Sequence, residues 1–239
     1  MRFVKVKFGN GSLGKNNGTS KAPDMLLERI ENVVNVAIND YNVDETMKNI
    51  SEIDGDFFVG GDHSITYGSF KGFAKKFRNP GIIVFDAHPD LEVNAGSVTH
   101  EDYLRKLIEE KLLEKENVIL IGVREFSKNE KEFMKEMKVY FVDSLFNNEE
   151  NICDAIMEIA RGFDGLYLSI DIDVLDPAFA PGTGYLEPGG MRLQELTYFL
   201  KRIKLLNNLK RVDLVEVNPD KDINNITVKS GKKIIEIFF

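Results

Sequence analysis

The sequence predicts an α/β protein with three layers, α/β/α, around a mainly parallel sheet of about eight strands, folded as one domain over residues 1–239. Three observations predict it. Short apolar runs alternate with longer segments of helical period. The length suits one large α/β core better than two small ones. No internal repeat, charged tail or linker rich in Gly, Pro or Ser divides the chain.

Taken in order, RFVKVKF (2–8) opens as a strand, and Asp24 to Ala37 follows as a helix, with Pro23 and Asp24 suited to its first turn. DFFVGG (56–61) precedes a helix from Ser64 to Phe77, and GIIVFDA (81–87) precedes one from His100 to Glu114. NVILIGV (117–123) leads to a helix from Ser127 to Met137, where Ser127 stands three residues before Glu130 in the spacing of a capping box. KVYFVD (138–143) leads to Glu149 to Ala160, in which Cys153 reads as helical packing. GLYLSIDID (165–173) runs into an irregular stretch, Leu175 to Met191. Its prolines and glycines exclude a helix or a central strand, and a loop of that length points to function. Arg192 to Leu205 is a helix, LKRVDLVEV (209–217) a strand, and Asn225 to the C-terminus a last helix.

Hydrophobic residues at 43% and charged residues at 29% describe a folded globular chain. A net charge of −8 offers no basic field for a phosphate backbone, so no nucleic-acid partner is expected. Apolar runs such as Gly81 to Phe85 are too short to span a bilayer, and the N-terminus lacks a signal-peptide core. The expectation is therefore a cytoplasmic protein without a membrane partner. Cys153 is the only cysteine, which excludes an intramolecular disulfide and a cysteine-based zinc site.

Chemistry gathers where strands end. DFFVGG runs into Asp62 and His63; GIIVFD ends in Asp86, followed by His88 and Asp90; GLYLSID ends in Asp171, followed by Asp173; RVDLVE ends in Glu216. In an open parallel sheet ligands bind beyond the carboxyl ends of the strands, so these residues converge. Residues two apart on an extended segment point the same way. Asp86, His88 and Asp90 thus face one spot, Asp171 and Asp173 add two carboxylates, and His63 completes six ligands. A single Asp at a strand end serves equally well as a helix cap. Four aspartates with two of the three histidines do not reduce to caps: carboxylates crowded into one cleft raise one another's pKa unless cations neutralise them. Two divalent ions remove the conflict, and a mixed oxygen and imidazole set suits manganese without excluding zinc, iron, cobalt or nickel.

The segments GGDHS (Gly60 to Ser64), DAHPD (Asp86 to Asp90), SIDIDVLDPAFAPGTGYLEPGG (Ser169 to Gly190) and VEVNP (Val215 to Pro219) resemble the signatures of the ureohydrolases, the arginase and agmatinase family; GKNNGTSKAP (Gly14 to Pro23) looks like that family's opening loop. The resemblance implies an arginase/deacetylase-like fold and two Mn(2+) per subunit, one on His63, Asp86, Asp90 and Asp171, the other on Asp86, His88, Asp171 and Asp173. Asp86 and Asp171 would bridge the ions, and a water activated between them would attack a guanidinium carbon. Glu216 matches the carboxylate that holds the guanidinium, as a planar cation with a fork of N–H donors requires. His100 occupies the place of the proton-shuttling histidine, although Glu101 follows it where relatives carry glycine. Asp62 and Asp176 read as supporting or turn residues, and Arg124 carries no assigned chemistry.

The resemblance also bears on the substrate. The Ser-x-Ser-Gly-Asn pattern that holds the α-carboxylate of arginine in arginases is missing from LEVNAGSVTH, which is similar to the shorter agmatinase loop, with Asn94 as a substrate contact. Agmatine is therefore expected, cleaved to putrescine and urea, with Glu92 or Glu187 meeting its far amine. Arginine and formimino compounds are the alternatives, because Tyr185 stands where relatives commonly carry threonine. A homo-oligomer, trimer or hexamer, is implied as well. Two readings from other classes are a non-catalytic metal-binding relative and a nucleotide-binding protein. The latter rests on GNGSLGKN (Gly9 to Asn16), which nearly spells a phosphate-binding loop but has Asn16 in place of its final Ser or Thr.

Overall fold

A computed structural model describes all 239 residues. Its centre is a sheet of eight strands, β1 (Phe3–Lys5), β2 (Val34–Asn35), β3 (Phe57–Val59), β4 (Pro80–Phe85), β5 (Val118–Val123), β6 (Lys138–Phe141), β7 (Gly165–Asp171) and β8 (Leu209–Val215), ordered β2-β1-β3-β8-β7-β4-β5-β6. Every pairing is parallel. Because side chains alternate along a strand, Ile83 and Phe85 of β4 face one layer with Leu168 and Ile170 of β7, while Ile82 and Val84 face the other with Tyr167.

Helices cover both faces. The first layer holds α1 (Ala22–Leu26), α7 (Glu149–Ala160), α8 (Leu193–Ile203) and α9 (Ile226–Glu236), which bury Leu26, Ile156, Phe199 and Ile234. The second holds α2 (Val43–Glu52), α3 (Ile65–Ala74), α4 (Tyr103–Glu109) and α5 (Lys128–Phe133), with Ile50, Phe70, Phe73 and Leu104 among the buried side chains. A one-turn helix, α6 (Val142–Leu145), follows β6. No helix is long and apolar enough to cross a membrane.

Three elements depart from expectation. The helix expected over Asp24 to Ala37 stops at Leu26, because the chain must turn back to lay Val34 beside Val4 of β1 as a short edge strand. Helix α2 is additional: Asn42 caps it by accepting from the Glu45 N–H at 3.0 Å. The strand expected over KVYFVD ends at Phe141, where Val142 begins α6. The capping box at Ser127 forms as the spacing predicts, with Glu130 bonded back to the Ser127 N–H at 2.8 Å.

A candidate binuclear metal centre

Four neighbouring strands, β3, β8, β7 and β4, end at one rim of the sheet. Asp62 and His63 follow β3, Glu216 follows β8, Asp171 ends β7, and Asp86, His88 and Asp90 follow β4. Asp173 lies in the single 3-10 turn after β7, which Asp171 caps by accepting from its backbone N–H at 2.8 Å. Of the eight non-glycine residues in the left-handed region, two belong to this site, Asp90 at φ 52° and Glu216 at φ 64°, a cost that aims their side chains inward. Gly61 has its own reason: a Cβ there would overlap the carbonyl oxygen of Phe8, which packs across the end of β3.

The predicted ligands meet in two clusters. His63 Nδ1 lies 3.0 Å from Asp86 Oδ2, 3.1 Å from Asp90 Oδ2 and 3.1 Å from Asp171 Oδ2. His88 Nδ1 lies 3.1 Å from Asp173 Oδ2 and 3.6 Å from Asp86 Oδ1. Asp86 thus turns one oxygen to each cluster.

The donor chemistry fits a pair of cations. His63 Nδ1 and Asp86 Oδ2 are buried and make no aligned hydrogen bond despite their closeness. On the other side of the ring, Nε2 is 2.9 Å from Ser169 Oγ, whose single proton goes to Asp213 Oδ1 at 2.6 Å. Ser169 must therefore accept from Nε2–H, which leaves the lone pair on Nδ1 aimed at three carboxylates. Two like unit charges 4 Å apart repel by about 4 kcal/mol at an effective dielectric of about 20. A few such pairs rival the whole stability of a domain. Without cations the carboxylates must take up protons to relieve this repulsion, and a lone pair aimed at three carboxylates is a donor set that fits a cation.

Titration behaviour reflects the same crowding. Burial pushes the Asp171 carboxyl well above its ordinary range, and the charges of Asp173 and Asp86 push it further. Burial, with Asp86 adding to it, raises Asp90 to about 7. Asp173 moves the other way, because His88 more than offsets its burial. His88 is raised in turn: burial lowers it, and Asp173 outweighs that.

Beside the clusters, Glu216 Oε1 accepts from the His63 N–H at 2.8 Å and faces His100 Nδ1 at 3.1 Å, while Oε2 accepts from the Asn16 amide. Burial lowers the His100 pKa, but the hydrogen bond and charge of Glu216 raise it more, to about 9. Glu216 is held below its usual range by His100 although burial opposes this. His100 Nε2 is buried without a partner.

A cavity of about 230 Å³ opens over this floor. His63, His88, Asp90, His100, Asp171, Asp173 and Glu216 line it from among the expected residues. Glu92, Glu187 and Tyr185, expected around the substrate, line it as well; its walls add Glu101, Glu125 and Glu130, and no lysine or arginine lines it. Asn94 does not line it: its amide donates to Ser97 O and Asp102 Oδ2, each at 2.8 Å, so it is occupied within its own loop.

The remaining residues support the site. Asp62 accepts from the Ser64 N–H at 3.0 Å at the start of α3, and burial followed by the charge of Glu216 raises it to about 7. Asp176 accepts from Ala178 and Gly189 N–H groups at 2.9 and 2.8 Å, a turn role. The Arg124 guanidinium braces the loop, donating to the carbonyls of Asp173 at 2.7 Å and Glu187 at 2.9 Å. Asn16, which spoiled the phosphate-loop pattern, is buried between Glu216 and Asn218. Sequence reasoning missed Ser169, Asp213, Asn16 and Tyr103, whose ring lies 4.3 Å from that of His63. Asp213 alone left a signal, as a charge in the middle of the apolar run RVDLV.

Comparison with known proteins agrees with this geometry. An arginase of Staphylococcus aureus (strain COL) is 34% identical over 201 residues, covering 76% of this chain and 66% of that protein. An agmatinase of Bacillus anthracis is 37% identical over 184 residues, covering 74% and 60%. Both matches span slightly less than two thirds of the relatives' own length. The crystal structure of arginase from Bacillus subtilis superposes with a TM-score of 0.89 at 25% identity, covering 100% of this chain and 97% of that one. The family model described as the arginase family matches residues 7–239, and with that match over nearly its whole length the chain belongs to the arginase family.

Proposed function

We propose that this chain is a manganese-dependent amidinohydrolase that cleaves the guanidino group of a small cation, with agmatine and water giving putrescine and urea. One observation carries the choice of substrate: the cavity is walled by glutamates and no lysine or arginine lines it. The four clustered aspartates would be balanced by two divalent cations, Glu101 pairs with Lys15, Glu216 with His100, and Glu130 accepts from the Ser127 and Leu91 N–H groups, which leaves Glu92, Glu125 and Glu187 as the carboxylates without a lysine, arginine or backbone partner. A dication with a guanidinium at one end and an ammonium at the other complements such a surface; the carboxylates of arginine or formiminoglutamate do not.

His63, Asp86, Asp90 and Asp171 would hold one ion, and Asp86, His88, Asp171 and Asp173 the other, in a mixed oxygen and imidazole set suited to manganese. When bound, the pair supplies positive charge that lowers the pKa of water in the cleft. The chain's own residues do the rest. Glu216, kept ionised by His100, is the counter-charge for the planar guanidinium. His100, kept protonated by Glu216, has its unpartnered Nε2 free to deliver a proton to the departing amine. Glu92, Glu125 and Glu187 supply negative charge for the far ammonium. A homo-oligomer, trimer or hexamer, and a cytoplasmic location belong to the same reading.

Urea release by manganese-loaded protein from agmatine, arginine, guanidinobutyrate and formiminoglutamate tests it. Agmatine should give the highest kcat/KM. A higher value for arginine, or no urea from any of the four, overturns the assignment.

A further inference from the structure

Tyr185 closes one side of the cavity at the reacting end. Its ring lies 5.9 Å from that of His100 at an interplanar angle of 24°, and 5.3 Å from that of His88. The phenol is clamped beyond the imidazoles. Its O–H donates to Glu101 Oε1 at 2.7 Å and accepts from Lys15, whose ammonium also donates to Glu101 at 2.8 Å and stands 5.0 Å from the ring centre. A three-way tie of this kind removes the freedom of a two-torsion side chain, so the ring is a fixed wall.

Resting on the activity proposed above, we propose that Tyr185 is a specificity-determining residue, a rigid wall that confines the reacting end to an unsubstituted guanidinium. Glu216 and residues of both ligand clusters line the same cavity, and the ring stands against His88 and His100, so a guanidinium held by Glu216 would carry any terminal substituent toward the ring. A fixed wall discriminates sharply because the interior cannot yield cheaply, and one added methyl group in a tight pocket changes relative affinity by about tenfold or more. The π face of the ring next to a bound cation adds attraction for the planar group itself. Glu101 and Lys15 are the positioning residues for the ring, and Lys15 contacts it from outside the cavity.

Calorimetric titration of manganese-loaded protein carrying His100→Gln, which lacks the proton donor for the departing amine, with agmatine and with its Nω-methyl derivative tests the wall, since binding is then read with turnover suppressed; the Tyr185 and Lys15 variants are compared in that background. With Tyr185 intact the protein should favour agmatine by about tenfold or more, and Tyr185→Phe, which keeps the ring but releases it from both Glu101 and Lys15, should lower that ratio at least about threefold without abolishing it. Tyr185→Thr should bring the ratio to within about twofold of unity, and Lys15→Met, a change at a half-exposed side chain, should lower it about threefold. If Tyr185→Thr does not fold, Lys15→Met decides. An unchanged ratio in Tyr185→Thr or Lys15→Met, or a loss in Tyr185→Phe as complete as in Tyr185→Thr, overturns the wall. Discrimination in binding without urea release by wild type from any guanidine sinks the proposed activity and leaves the wall standing; failure of the protein with Tyr185 intact to bind either compound overturns both.

Discussion

Ser169 Oγ stands between His63 and Asp213, 2.9 Å from the imidazole Nε2 and 2.6 Å from the carboxylate that takes its proton. Asp213 also accepts from Tyr167 at 2.5 Å and Thr66 at 2.7 Å, so three hydroxyls converge on one buried carboxylate. This chain of donors fixes which nitrogen of His63 carries its lone pair. Ser169→Ala should therefore weaken manganese binding by about 10- to 100-fold while leaving all six ligands in place. Calorimetric metal titration checks it, and an affinity equal to wild type would detach the relay from the metal centre.

The crowding of carboxylates around His63 and His88 makes folding and metal binding one equilibrium. Stripping metal with a chelator should lower the thermal midpoint, and manganese at a hundred times its Kd should add about 2.7 kcal/mol of stability for each ion bound. Asp171→Ala should abolish urea release and lower the metal content, since its Oδ2 is one of three oxygens around His63 Nδ1. Differential scanning with bound metal measured by elemental analysis reads both effects. Full activity in Asp171→Ala would remove it from the ligand set.

Much of this centre was legible because its parts obey strong local rules. β4 and β5 are unbroken apolar runs and β7 is interrupted only by Ser169 before its terminal Asp171, and a charged residue at the end of such a run has few places to go except the rim of a parallel sheet. The edge was harder to read. Residues 24–37 carry a helical apolar period, yet β1 takes Val34 as a partner, and two paired residues leave almost no period of their own. Helix α2 has only Met47 and Ile50 as buried apolar residues in ten, too few for a stripe to stand out among its acids. The left-handed turn at Glu216 and the occupation of Asn94 within its loop depend on neighbours distant in sequence. No window of residues contains them.

The His100 and Glu216 pair gives stability a pH signature. The folded pKa of His100, about 9, lies above the ordinary value of 6.5, so the folded state binds this proton more tightly than the unfolded chain. The contribution is complete below about pH 6.5 and is lost as pH rises through about 9. In chelator-treated protein, the stability gap between wild type and His100→Gln should be widest near pH 6 and close toward pH 10. Urea denaturation at several pH values measures it. A gap that widens with pH would mean that His100 is buried neutral.

Asn94 gives the sharpest separation between a loop role and a substrate role. Its amide is divided between Ser97 O and Asp102 Oδ2, and its own carbonyl accepts from the Gly96 N–H at 2.8 Å. Asp102 is the residue from which α4 starts, and it also accepts from the Thr99 N–H. That loop carries His100. Asn94→Ala should therefore cost about 1 kcal/mol of stability, as for a lost partly buried hydrogen bond. Because the side chain does not reach the cavity, the KM for agmatine should stay within about twofold of wild type, with any loss appearing in kcat as His100 is held less firmly. Steady-state kinetics beside a denaturation curve distinguish the roles. A KM raised about tenfold at unchanged kcat would put Asn94 on the substrate.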